Sequence, residues 1–413
     1  MISTLLNSPS VDLSRIRLEI RGLQPNLVEW RRSLHQHPEL GFKELLSSKF
    51  IAQKLQQWGI NYQAGIAKTG IVATIEGSGE KLLNSATQNS RKVLAIRADI
   101  DALPIQEEND VPYKSLHDGI MHACGHDGHT AIALGTAYYL SQHRQDFAGT
   151  VKIIFQPAEE GPGGAQPMIA AGVLTNPDVD AIIGLHLWNQ LPVGTVGVRS
   201  GALMAATEGF RCTIMGKGGH GAIPHQTIDS IVVASQIVNA LQTIVSRNVD
   251  PIQSAVVTVG EFHAGTAINI IADTARIGGT VRYFNPSLGE LLPTRIEQII
   301  AGVCQSHGAH YDFNYWRQYP ATINDSAIAE LVRSVALEVV ETPLGIVPEC
   351  QTMGAEDMSF FLEAVPGCYF FLGSANPSLN LAYPHHHPRF DFDETALGMA
   401  VEIFVRCVEK FFA

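Results

Sequence analysis

Apolar residues recur at helical spacing from Ser14 to His35 and again from Lys43 to Trp58, with Gly59 as a stop after the second run. The spacing predicts two helices before the first strand. Short runs rich in β-branched residues follow: Ile71 to Glu76, Val93 to Ala98, Val151 to Phe155 and Ala181 to Leu187, with a helical stretch at His126 to Arg144 among them. Runs so short and continuously apolar suit strands covered on both sides. The order therefore predicts an α/β fold, a parallel or mixed sheet with helices on both faces. The stretch GSGEKLLNSATQNSR, Gly77 to Arg91, has no period and reads as a surface loop.

Beyond residue 200 the pattern changes. Strands are expected at Thr207 to Met215, Ser254 to Phe262, Thr274 to Tyr283 and Tyr311 to Trp316, with helices at Thr227 to Val245 and Gly289 to His307. This is the β-α-β-β-α-β order of a ferredoxin-like α+β domain. Candidate metal donors stand on both sides of the block, so it is expected to be an insertion at 204–315 within a catalytic domain formed by 1–203 and 316–413. The closing segment, Glu394 to Phe412, reads as a helix packing back on that domain.

The 413 residues exceed what one core usually organises, in agreement with two domains. The 40 acidic against 28 basic residues leave a formal charge of -12, which disfavours nucleic acid and anionic membranes as partners and favours a small molecule or another protein. The amino terminus lacks the basic start and apolar run of a signal peptide, and no segment reaches the roughly 18 apolar residues of a membrane span. A cytoplasmic protein is the expectation. Six cysteines without paired spacing fit reduced thiols.

One of these stands apart. MHACGHDGHT, Met121 to Thr130, offers a thiolate at Cys124 and an imidazole at His126 within reach of one divalent ion. Alone, it equally fits a helix start with a buried cysteine. Glu159 and Glu160 follow a strand and precede GPGG, at the carboxyl end of a strand, where α/β sheets place their sites. One can bind metal while its neighbour moves a proton, although adjacent carboxylates also occur on solvated loops. His186 closes the strand AIIGLHLW and could equally be a satisfied core histidine. Of His385, His386 and His387, one is expected to face inward, since successive residues of an extended chain alternate.

These segments, together with HQHPEL (His35 to Leu40), RADIDALP (Arg97 to Pro104), GKGGHGAIPH (Gly216 to His225), INIIADTARIGGTVRYF (Ile268 to Phe284) and GAEDMSFFLEAVPGCYFFLG (Gly354 to Gly373), resemble in order the motifs of one family. It is the family of metal-dependent amidohydrolases that includes aminoacylases, hippurate hydrolases, auxin-conjugate (IAA-amino acid) hydrolases and related carboxypeptidases. The resemblance implies that Cys124, His126, Glu160, His186 and His386 bind two divalent ions, zinc or manganese with cobalt or nickel also open, and that Glu159 is the general base. It implies that His220 acts in catalysis, that Asn269 and Arg282 contact substrate, and that the inserted domain is a lid through which a homodimer forms. Distant relatives carry a metal-binding histidine at the position of Arg97, so Asp99 is expected to support a ligand rather than to be one. The implied reaction is hydrolysis of N-acyl-L-amino acids. Its rivals are a carboxypeptidase or dipeptidase, and a metal- or peptide-binding protein without catalysis.

Overall fold

The computed structural model describes residues 14, 16–79, 92–341 and 343–413, so residues 80–91 of the expected loop lie outside the described residues. In chain order the elements begin with α1 (Leu18–Gln36), α2 (Leu45–Gln57), β1 (Asn61–Ile66), β2 (Gly70–Glu76), β3 (Val93–Asp99), α3 (His126–Gln142), β4 (Thr150–Gln156), α4 (Ala165–Ala170), β5 (Ala181–Pro192) and β6 (Val196–Gly197). Next come β7 (Gly201–Met204), β8 (Ala206–Met215), β9 (Gly219–His220), α5 (Ser230–Arg247), β10 (Ala255–Ala264), β11 (Ile270–Ile271), β12 (Thr274–Tyr283), α6 (Leu288–His307) and β13 (His310–Tyr319). The chain closes with β14 (Thr322–Asn324), α7 (Ser326–Val339), α8 (Met358–Ala364), β15 (Gly367–Ala375) and α9 (Thr395–Phe412). Among the described residues no helix is long and apolar enough to cross a membrane.

Two compact units result: residues up to Gly201 with Ile323–Cys350 and Phe360–Ala413, and Ala202–Thr322 with Gln351–Ser359. The second reaches beyond 315 because the strand read as Tyr311 to Trp316 runs on to Tyr319. It also takes in a short later segment that sequence order alone cannot assign.

In the first unit a seven-stranded mixed sheet has the order β1-β2-β4-β3-β5-β15-β6. Strands β4, β3, β5 and β15 are parallel neighbours, while β1, β2 and β6 run antiparallel at the edges. Every residue of β3 and β4 is buried, which is why both read as unbroken runs. Ile71, Ala73 and Ile75 of β2, Leu94 and Ile96 of β3, and Ile153 and Phe155 of β4 share one core with α1, α2, α3, α7 and α9. On the other face Met168 of α4 packs so closely that a Cβ on Gly70 would stand 2.9 Å from its Cε. Edge strand β1 escaped prediction because five of its six residues are exposed and carry no apolar run.

The second unit is a four-stranded antiparallel sheet in the order β10-β12-β8-β13, the ferredoxin-like arrangement, with α5 and α6 packed on it through Ile237, Leu241, Leu292 and Ile296. Asp229 caps α5 by accepting from the amides of Ile231 (2.9 Å) and Val232 (3.3 Å), and Gly308 ends α6 at φ +69°.

Candidate metal centre

The site grows from the carboxyl ends of β3, β4 and β5, where open α/β sheets leave a crevice. Helix α3 starts at this edge after Gly125, whose φ of +88° turns the chain from Cys124 into the helix. Its first turn lies hard against β5: a Cβ on Gly128 would stand 2.5 Å from Leu187 Cδ1. That approach brings His126 and His129 into the strand ends.

Their roles separate by hydrogen bonding. His129 donates from Nδ1 to Asp99 Oδ1 (2.6 Å) and accepts at Nε2 from the Leu187 amide (2.9 Å), so both nitrogens are committed to protein. His126 instead turns Nδ1 toward Asp101 Oδ1 (3.3 Å), and among the described residues its buried Nε2 has no hydrogen-bond partner. His186 donates from Nδ1 to the Leu187 carbonyl (2.7 Å), which directs Nε2 to within 3.4 Å of Cys124 Sγ. From the turn after β4, Glu160 places Oε1 3.1 Å from His386 Nε2, with His386 held at φ +65° and its amide donating to the Ala123 carbonyl (2.8 Å).

Donor atoms of Cys124, His126 and His186 lie within 4.8 Å of one another, as do those of Cys124, Glu160 and His386, and those of His126, Glu159 and Glu160. The first two groups share Cys124. A thiolate, three imidazoles and carboxylates suit a borderline divalent ion, and the uncommitted His126 Nε2 is the lone pair such an ion requires. The electrostatics agree. Burial pushes the Cys124 thiol up, and Glu160 and Glu159 push it further. Burial opposes charge on His126, yet Asp99 and Asp101 raise it to about 10. The site thus gathers a proton where a cation can replace it.

Asp99 also accepts from Arg97 Nη1 (2.8 Å), so its carboxylate joins Arg97 to His129. Of the three consecutive histidines His386 is the most exposed, with its Nε2 on Glu160, while His385 and His387 are half-buried. His385 donates from Nε2 to the Leu187 carbonyl (2.8 Å) and packs its ring 4.8 Å from Trp188, while His387 stacks on Tyr383. In the second unit, His220 on β9 pairs with Ile270 on β11, and Asn269 accepts at its carbonyl from the Gly221 amide (2.8 Å), which brings these two together. Arg282 lies in the main sheet on β12, paired with Thr207 and Val256. Its guanidinium has no hydrogen bond or ion pair among the described residues, and burial lowers its pKa.

Several residues with no assigned role complete the surroundings. Asp101 receives the amides of Glu159 and Glu160. Behind α3, Asp127 Oδ2 accepts from Arg31 Nε (2.8 Å) and His35 Nδ1 (2.7 Å), and Arg31 continues to Asp391 Oδ1 (2.8 Å) and Glu394 Oε1 (3.2 Å). This buried chain ties α1 and α3 to the segment after His386. Its sequence signal was FDFDE, Phe390 to Glu394, where acidic residues stand beside phenylalanines.

The pattern of peptidase family M20/M25/M40 matches residues 95–410. The N-acyl-L-amino acid amidohydrolase of Geobacillus stearothermophilus is 46% identical over 310 residues, 75% of this chain and 80% of that protein. Thermostable carboxypeptidase 1 of Saccharolobus solfataricus is 36% identical over 403 residues, 97% of this chain and 98% of that protein. Among solved structures, a Bacillus subtilis dinuclear metal binding peptidase of the M20 family superposes with a TM-score of 0.81 at 37% identity, covering 95% of this chain and 99% of that one. The chain belongs to peptidase family M20/M25/M40.

Proposed function

We propose that this protein is an amidohydrolase that cleaves N-acyl-L-amino acids into a carboxylic acid and a free amino acid. The observation that carries the reading is Glu159 beside Glu160 in one donor cluster with His126, with Glu160 also on His386, so two adjacent carboxylates can divide metal binding and proton transfer. Cys124, His126, Glu160, His186 and His386 would hold two divalent ions, which would supply Lewis acidity to the reaction. Zinc or manganese suits this donor set, with cobalt and nickel as further candidates.

Glu159 takes the proton of the attacking water and delivers it to the leaving amine, so one group serves as base and then as acid. His220 and Asn269 stabilise charge developing on the carbonyl oxygen. Arg282 holds the substrate carboxylate through a bidentate fork, a role favoured by its half-buried guanidinium without a carboxylate partner among the described residues. Asp99 steadies the site through His129 and Arg97. A homodimer formed through the second unit and a cytoplasmic location belong to the same reading.

The thermostable carboxypeptidase relative favours a second reading, cleavage of short peptides. A panel of N-acetyl- and N-benzoyl-amino acids, run beside dipeptides and longer peptides on metal-reconstituted protein, separates the two. The proposal expects the acyl-amino acids to have the higher kcat/KM. Faster cleavage of peptides supports the second reading, and no cleavage of any substrate in a broad panel contradicts both.

A further inference from the structure

Two sequence motifs, HPELGFKE and RADIDALP, are only partly used by the reaction just described, yet they meet at the turn that carries Glu159. Three successive amides of that turn are all held by side-chain carboxylates. The Ala158 amide donates to Glu44 Oε1 (2.9 Å), and the amides of Glu159 and Glu160 donate to Asp101 Oδ1 and Oδ2 (3.0 Å each). Glu44 is fully buried, and its other oxygen accepts from the Thr69 hydroxyl at 2.6 Å. Ala158 itself has φ +55°, a left-handed conformation that alanine keeps only when its surroundings hold it there.

The holding segment is itself braced. A Cβ on Gly41 would stand 2.7 Å from the Gly161 carbonyl oxygen and 2.9 Å from Ala158 Cβ, so this stretch lies directly against the turn. The Ala102 amide donates to the Glu39 carbonyl (2.8 Å), which ties the segment to the residue after Asp101. The Glu39 carboxylate accepts from the amides of Leu46 (2.8 Å) and Ser47 (2.9 Å), anchoring it to the start of α2. Water or a main-chain carbonyl could satisfy these three amides. Buried carboxylates do so with stronger, charge-assisted bonds, at the cost of placing like charge beside Glu159 and Glu160. Such an arrangement is worth its electrostatic cost where the direction of the turn matters.

We propose that Glu44 and Asp101 are positioning residues, a cradle of two carboxylates that aims Glu159 at the reacting water through the main chain. The proposal rests on the reading of Glu159 as general base. Asp101 also touches His126, so its loss disturbs metal binding and positioning together. Glu44 meets the turn at the Ala158 amide and bonds on its other side to the Thr69 hydroxyl, so it isolates the positioning role.

The test measures kcat, KM, bound metal and amide hydrogen exchange over 157–161 in Glu44→Ala, Glu44→Gln and Thr69→Val, with Glu159→Gln alongside. Glu44→Ala is expected to lower kcat by about 10- to 100-fold, the scale at which small misplacements of a reacting group act, while KM and metal content stay at the wild-type level. Exchange at 157–161 should quicken. Glu44→Gln, whose amide oxygen can still accept from Ala158, should recover most of the turnover, and Thr69→Val should shift kcat and exchange slightly in the direction of Glu44→Ala. Wild-type kcat in Glu44→Ala despite faster exchange overturns the cradle, as does loss of kcat in step with loss of metal. If Glu44→Ala does not fold, the other two variants decide: Glu44→Gln with little turnover, or Thr69→Val without any change, overturns it. Wild-type turnover in Glu159→Gln refutes the base reading instead, and does so whatever the exchange at 157–161 shows.

Discussion

His126 and Asp127 are consecutive, yet they face buried polar clusters of opposite character. Around Asp127 the chain supplies both signs of charge: Arg31 and His35 meet Asp127, Asp391, Glu394 and Glu107. Around His126 it supplies Asp99, Asp101, Glu159 and Glu160 with Arg97 bound to one of them, and among the described residues His126 Nε2 has no hydrogen-bond partner. Both clusters carry the desolvation cost of buried charge. In the first, Arg31 and His35 offset part of that cost from within, and removing either leaves buried carboxylates without a partner; the second, with one guanidinium, has the character of a cation site.

The comparison can be broken by substituting on either side. Glu159→Gln should lower kcat by about 10²- to 10⁴-fold, the usual scale for general acid-base groups, with bound metal unchanged by elemental analysis. Cys124→Ser should lower metal affinity steeply while the metal-free protein melts close to the wild type in calorimetry. Arg31→Met should do the opposite: stability in urea falls by about 3 to 5 kcal/mol, because Asp127 and Asp391 keep buried charge without their partner.

Acidity sharpens the contrast. Burial and Arg31 both lower the His35 pKa, but Asp127 and Glu107 outweigh them and raise it to about 9. The folded protein therefore holds a proton that the unfolded chain releases near pH 6.5. Stability from this group is full below that value and is lost as pH rises through about 9. Asp127 has the opposite sign: burial opposes its charge, yet Arg31 and His35 hold its pKa well below the usual range. Its contribution is present above about pH 4 and is lost as pH falls through its lowered folded value. Unfolding of the metal-free protein followed from pH 6 to 10 checks the first, and His35→Gln should flatten that slope. The smallest effect belongs to the second unit: Asp229→Ala removes the α5 cap and should cost about 1 kcal/mol in urea unfolding.

Much of this was legible in the chain because period and punctuation acted locally. The run Thr274 to Tyr283 is the strand β12, residue for residue, and Gly125 before His126 marks the start of α3. The donor segments were legible only in company and through the family resemblance, since thiol, imidazole and carboxylate each fit a structural role when taken alone. What escaped depends on long-range partners. Glu44, Asp101, Arg31 and His35 read as ordinary polar residues until the fold buries them against groups far away in sequence. The left-handed turn at His386 left no periodic trace.

The central claim is that the Cys124–His126–Glu160–His186–His386 cluster holds the metal while Glu159 moves the proton. The most direct test is the turnover of an N-acyl-amino acid by wild type and Glu159→Gln, normalised to the metal bound by each. The account predicts equal metal in the two proteins and at least about a hundredfold lower turnover in the variant. Equal turnover per bound metal would contradict it.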